Sequence, residues 1–349
     1  MKILLLFPDI YSLNKTFTSG FEQLGHEVKT IRFRDYFPHW RNRLNERTAY
    51  LPIRFTKYLY KAYLKNINLS YIKTIEIEKP DLVIVYNDQL LLPETARIIK
   101  KKCPIFNFLG DNPLSLVKNP FNIPPLMEMD HVFSPDTFWI KQLKQIGISK
   151  ISHLILGYNP TLNYRLKPSK IELEKYSSDL LMIGSAHTNP FGFKRALFYS
   201  KFLDLDIKIY GEVWENWYDY FPKLKNKHVS LKKRLSFEMV NLISNCCKIY
   251  PIEVNPGLVF GLHIRIFDCL GSGILPLIEY RKDLDIVFNN LNVPTIKCYD
   301  EAKEKAVYYL KNEKERIDII NNLREYIGNN FTPKIAAEKI INIYLSLHK

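Results

Sequence analysis

The chain has 349 residues, 46% hydrophobic and 25% charged, with a net charge of +14 at neutral pH and no internal repeat or low-complexity tract. At about 150 residues per domain, two globular domains are expected. No apolar run of about 18 residues reads as a membrane span. MKILLLFPD is too short and too soon interrupted for a secretory signal. The five cysteines (Cys103, Cys246, Cys247, Cys269, Cys298) lack C-x-x-C spacing, which argues against a disulfide framework or a zinc site and for a reduced, cytoplasmic setting.

KILLLF (2–7) is a compact apolar run suited to a strand buried on both faces. A helix is predicted from Thr18 to a glycine stop at Gly25, then a strand in EVKTIRF. From Arg32 to Lys65 nine basic residues (Arg32, Arg34, Arg41, Arg43, Arg47, Arg54, Lys57, Lys61, Lys65) face only Asp35 and Glu46, a net +7. Tyr36, Phe37, Trp40, Tyr50, Phe55, Tyr58, Tyr60 and Tyr63 interleave with them. Three readings stand side by side: a solvated basic helix, a surface for an anionic membrane, or a track for a polyanion such as DNA. Strands follow at 79–87, 103–111 and 131–135, then a short helix in FWIKQLKQIG and a strand in KISHLILGYNP. Strand and helix in alternation argue for a parallel sheet covered on both faces.

Residues 1–160 are therefore predicted as one Rossmann-like domain and the polar stretch 161–178 as a linker. A second α/β pattern fills 179–331, with strands at 179–184, 205–211, 248–254 and 273–279 and a helix in the stretch that follows HVSL. Thr332 and Pro333 are start signals for a final helix over 332–349, expected to cross back to the first domain. The expected fold is α/β, two doubly wound domains facing a central cleft, with ligands at the carboxyl ends of the strands.

In MIGSAHTNPFGFKR (182–195) a strand ends at Gly184, a polar loop holds Ser185 and His187, and a helix begins near Pro190. Backbone amides at such a helix start attract phosphate, and Lys194 and Arg195 add charge. The alternative is a plain strand–loop–helix with a basic surface. In FGLHIRIFDCLGSG (260–273), a helix over Leu262–Leu270 puts Arg265 and Asp268 on one face, a turn apart. An arginine fork suits phosphate and a carboxylate suits ribose hydroxyls. Gly261 and His263 lie in the loop just before. The alternative is an exposed ion pair worth about 0.3 kcal/mol. Asp111 follows an apolar strand and precedes Asn112-Pro113, which makes it a candidate general base or an Asx-turn residue. Asp9, after the first strand, is the second candidate. No His/Asp/Glu set has metal-ligand spacing.

Arg265, Phe267, Asp268, Leu270 and Gly273 resemble the Arg/Phe/Glu/Leu/Gly pattern of GT-B glycosyltransferases of the CgeB-like group. LLMIG followed by Arg195, then IKIYG and FEMVNLISNCCKIYPIEVNP, come in the same order as in that family and extend the likeness over about 100 residues. Asp268 stands where the family usually has Glu, and Phe260 where many retaining relatives have Glu. The organisation is also similar to that of phage DNA β-glucosyltransferases, which are inverting. By that resemblance Asp111 is the base, Arg195 and Arg265 hold the diphosphate, and Asp268 the ribose. It implies a nucleotide-sugar donor, a UDP-sugar favoured, with no obligatory metal or other cofactor. The acceptor would be a bacterial surface glycan, glycolipid or protein, with the enzyme cytoplasmic and peripheral on the inner membrane face through residues 32–65. A DNA-modifying glucosyltransferase and a non-catalytic module binding a nucleotide sugar or polyanion are the alternatives.

Overall fold

The structure, a computed structural model, describes the chain apart from residues 9–11, 49–52, 88–89, 115–122, 232, 290 and 348–349, and gives backbone alone at 45, 46, 48 and 53–59. Asp9 therefore lies outside the described residues, as do the side chains of Glu46, Tyr50, Arg54, Phe55, Lys57 and Tyr58. Two compact units emerge, residues 1–156 with 333–349, and residues 157–332.

The first unit runs β1 (Lys2–Leu6), α1 (Leu13–Glu22), β2 (Glu27–Ile31), α2 (His39–Thr48), α3 (Ile53–Glu78), β3 (Leu82–Tyr86), α4 (Pro93–Lys100), β4 (Ile105–Phe108), α5 (Ile123–Glu128), β5 (His131–Ser134), α6 (Thr137–Gln145) and β6 (Ile151–His153). Its sheet is parallel, in the order β2-β1-β3-β4-β5-β6, so the winding direction reverses between β1 and β3. Ile3 to Leu6 of β1 and Leu82 to Val85 of β3 are buried, which is why both read as continuous apolar runs. The first helix starts at Leu13 rather than Thr18. Thr16, Phe17, Gly20 and Phe21 form its buried face, so the apolar spacing begins before the threonine. The last helix, α15 (Pro333–Ser346), belongs to this unit and packs on α1. Gly20 makes that approach possible, because a Cβ there would run into the Pro333 carbonyl.

The second unit runs α7 (Lys170–Tyr176), β7 (Ser178–Ile183), α8 (Pro190–Ser200), β8 (Ile207–Tyr210), α9 (Leu224–Lys227), β9 (His228–Val229), α10 (Phe237–Asn245), β10 (Cys247–Ile252), α11 (Arg265–Ser272), β11 (Leu275–Glu279), α12 (Asp283–Val287), β12 (Thr295–Ile296), α13 (Ala302–Lys311) and α14 (Glu313–Asn330). Its sheet is also parallel, in the order β12-β11-β10-β7-β8-β9. The winding reverses between β7 and β10.

The stretch expected as a linker, 161–178, is part of this second unit. Its polar residues and backbone bond the domain instead of water. Tyr164 N donates to Asn241 Oδ1 at 3.1 Å and Leu166 N to Asn245 Oδ1 at 2.9 Å. Ser169 and Glu172 then form a capping box that starts α7.

Candidate functional site

The carboxyl ends of β7 and β10 lie on either side of the reversal, the place where parallel sheets open to ligands. Tyr250 of β10 is buried and reaches the last residue of β7. Its hydroxyl accepts from Ile183 N at 2.7 Å and donates to Ile183 O at 2.9 Å. Burial pushes that phenol up to about 12, so it stays a neutral donor and acceptor. Beyond Ile183 the chain turns through Gly184 at φ 153°, a conformation that favours glycine. Gly184 N donates to Tyr210 O at 2.8 Å, and Trp214 Nε1 donates to Gly184 O at 2.8 Å. The Gly184 amide is thus engaged within the fold. Among the described residues the Ser185 amide and hydroxyl make no hydrogen bond.

Two arginines converge on this glycine. A Cβ at Gly184 would lie 3.3 Å from Arg265 Nη2 and 3.6 Å from Arg195 Nη1. Arg195 comes from α8, which begins at Pro190 with Asn189 as its cap. The side chain of Arg195 is 5% exposed and is clamped by Glu253 Oε1 through Nε and by the Ser185 carbonyl through Nη1. Its guanidinium also sits 4.6 Å above the Phe191 ring. Glu253 follows β10, is fully buried, and has one carboxylate oxygen, Oε2, without a partner.

Arg265 is the first residue of α11, so this helix starts three residues later than its sequence suggests. His263 causes the delay: its Nδ1 accepts the Arg265 N–H at 3.1 Å and takes the place of a capping side chain. That bond places the imidazole proton on Nε2. Burial and the neighbouring guanidiniums of Arg265 and Arg195 hold His263 well below the usual histidine range, so the ring is neutral at pH 7. Arg265 lies 5.4 Å above the Tyr250 ring, and its buried Nη1 has no hydrogen-bond partner. A buried donor left unpaired costs about 1–3 kcal/mol. Two guanidiniums face one carboxylate here, which leaves surplus positive charge suited to an anionic oxygen. Gly261 is buried in the loop leading to His263.

Asp268 lies a turn further along α11. The exposed ion pair with Arg265 is not formed; Asn163 Nδ2 donates to Asp268 Oδ1 at 2.8 Å instead. Burial pushes the Asp268 carboxyl up to about 7, against the charge of Arg265 and the Asn163 bond. Lys194 takes a structural position. Its ammonium bonds Glu279 Oε2 at 2.6 Å and the Val254 carbonyl at 2.9 Å, and burial lowers its pKa.

In the first unit, Asp111 follows β4 and Asn87 follows β3. Asn87 Nδ2 donates to Asp111 Oδ2 at 2.8 Å, while Asn87 Oδ1 accepts from Gly110 N at 2.6 Å. The Asx turn before Leu114 is made by Asn112, not Asp111. Desolvation raises the Asp111 pKa and the Asn87 bond opposes it. Among the described residues no His, Cys, Asp and Glu side chains group as a metal site.

Sequence reasoning missed Glu253, Asn163 and Tyr250. Glu253 had a signal: a lone acid directly after an apolar strand, at the edge where ligands bind. Asn163 and Tyr250 had none, since each acts across a long sequence separation.

Residues 194–342 match a family described as "Glycosyl transferase-like". No curated protein matches the chain. Sucrose-phosphate synthase from Thermosynechococcus elongatus superposes with a TM-score of 0.70 at 10% identity, over 100% of this chain and 99% of that one. The trehalose-6-phosphate protein from E. coli bound with UDP-2-fluoro glucose superposes with a TM-score of 0.65 at 10% identity, over 99% of each chain. A putative UDP-N-acetylglucosamine 2-epimerase from Listeria monocytogenes gives 0.59 at 10% identity, over 97% and 94%. The architecture is the GT-B fold, and the similarity to the glycosyl transferase-like family spans residues 194–342.

Proposed function

We propose that the protein is a glycosyltransferase that binds a nucleotide-sugar donor in its second unit and moves the sugar to a hydroxyl acceptor. The observation that carries this reading is Arg265 Nη1, buried and without a partner in a guanidinium that lies beside Arg195 at the sheet reversal. A diphosphate supplies the missing acceptors. Arg195, oriented by Glu253, and Arg265 bind its oxygens. Ser185 and the Nε2–H of His263 add neutral hydrogen bonds, and Asp268 accepts from the ribose hydroxyls. Lys194 contributes indirectly, by holding Glu279. A UDP-sugar is the favoured donor, on the strength of the UDP-2-fluoro glucose held by the E. coli trehalose-6-phosphate protein of like fold.

Transfer proceeds with inversion in this reading. The acceptor oxygen bonds to the anomeric carbon, the bond from that carbon to the diphosphate oxygen breaks, and Asp111 takes the hydroxyl proton. Asp111 is exposed to an incoming acceptor, and Asn87 keeps one of its oxygens fixed. The arginines stabilise the departing nucleotide diphosphate. In this reading the likeness of Arg265 to Gly273 to the CgeB-like pattern supports kinship with that group, with a glycan, glycolipid or protein hydroxyl as acceptor.

Release of the free nucleotide (UDP, GDP, TDP or CMP) from a panel of UDP-, GDP-, TDP- and CMP-sugars tests this. Turnover is expected with one donor class, and Asp111→Asn is expected to lower it by about 10²–10⁴-fold. Undiminished turnover in that variant removes Asp111 as base. No release from any donor contradicts the enzyme reading.

A further inference from the structure

Helix α2, His39–Thr48, is turned inside out. Among its described residues the buried one is polar: Asn42 is 4% exposed. Asn42 Nδ2 donates to the carbonyls of Arg34 and Phe37 at 2.9 Å each, and Asn42 Oδ1 accepts from the Tyr63 hydroxyl at 3.0 Å. These bonds fix which side of α2 faces the unit. At about 100° per residue, the line from Trp40 to Leu44 lies about 180° from Asn42. Trp40 is 68% exposed and Leu44 is 57% exposed. Arg43 and Arg47 border this apolar line on one side and Arg41 on the other, all exposed. Arg41 is further fixed by its guanidinium, 4.6 Å above the Phe37 ring.

An apolar stripe edged with arginines is matched by the boundary of an anionic bilayer. Tryptophan and leucine enter the acyl edge and guanidiniums pair with headgroup phosphates. Duplex nucleic acid would use the arginines but gains nothing from an exposed leucine. We propose that the Trp40–Leu44 face of α2 is a docking surface for an anionic lipid membrane. The local excess of basic residues between 32 and 65 supplies long-range attraction, while Trp40 and Leu44 supply the hold that remains when salt screens the charges. This surface is independent of the donor site, so failure of one reading leaves the other standing.

Co-sedimentation with vesicles of phosphatidylcholine, alone or with about one third phosphatidylglycerol, tests it. The full-length protein should bind the anionic vesicles and not the neutral ones. The pair Trp40→Ser and Leu44→Ser should weaken binding at least about tenfold. Arg43→Glu and Arg47→Glu should weaken it about fivefold or more each at low salt. All four positions are exposed, and an unchanged thermal midpoint checks that each variant is folded. Absence of binding to anionic vesicles overturns the proposal, as does undiminished binding in the Trp40/Leu44 variant. So does retention of duplex DNA with no vesicle binding, which would assign the arginines to a nucleic acid.

Discussion

Arg265 and Asp268 sit three residues apart on α11 yet meet different partners, and each has its own measurable consequence. Arg265 stacks on Tyr250 and leaves Nη1 unpaired. Hydrogen bonds from a charged donor contribute about 1.5–3 kcal/mol, so Arg265→Ala should weaken nucleotide diphosphate binding by roughly 10- to 100-fold in a calorimetric titration. Arg265→Lys should recover only part of this, because an ammonium lacks the planar fork. Full affinity in the alanine variant would show that Nη1 serves no ligand. Asp268 titrates near 7 because of burial. Between the ordinary carboxylate value of about 3.9 and that raised value, the folded chain holds a proton that the unfolded chain releases. The group's stabilising contribution is therefore complete at low pH and is lost as pH rises through about 7. Asp268→Asn has no such proton and should gain stability relative to the native sequence from about pH 4 to pH 7, then run parallel. Urea melts across that range check this, and a constant difference would contradict it. Spacing alone placed both residues on one helix face. It could not tell a mutual ion pair from two separate roles, because the deciding partners, Asn163 and Tyr250, come from distant segments.

At the scale of elements, strands were the most legible. KILLLF and KPDLVIVYN carry the continuous apolar runs of strands covered on both faces, and β1 and β3 lie within them. Helix α3 was hidden. Tyr63, Ile67, Tyr71 and Ile75 are buried at a four-residue spacing that signals a helix, but the surrounding basic residues dominated the reading of that segment. The stretch 161–178 read as a linker from its polarity, and polarity alone does not distinguish solvated backbone from backbone bonded to Asn241 and Asn245. The α1–α15 contact was partly legible: Thr332 and Pro333 announced the helix, but the close approach at Gly20 was not visible. Gly20→Val should cost about 1–3 kcal/mol in a chemical denaturation, since its side chain meets the Pro333 carbonyl and Ala337. Unchanged stability would mean that the two helices are not held so closely.

For the molecule as a whole, the alternation of strands and helices made two parallel sheets legible, and the structure matches that. Which reaction the fold serves is a separate matter, since a sucrose-phosphate synthase and a putative 2-epimerase both share it. The charge of +14 bears on partners and not on fold. Among the described residues no helix is long and apolar enough to cross a membrane. The proposed nucleotide-sugar site rests on the meeting of Arg195, Arg265 and Glu253 at one reversal of one sheet. The most direct test is the thermal unfolding of the full chain against UDP, GDP, TDP and CMP and their sugar conjugates. A cognate ligand at 100 times its dissociation constant should stabilise the protein by about 2.7 kcal/mol, with the gain much reduced by Arg265→Ala. No stabilisation by any of these ligands, or an equal gain in the variant, would contradict the account.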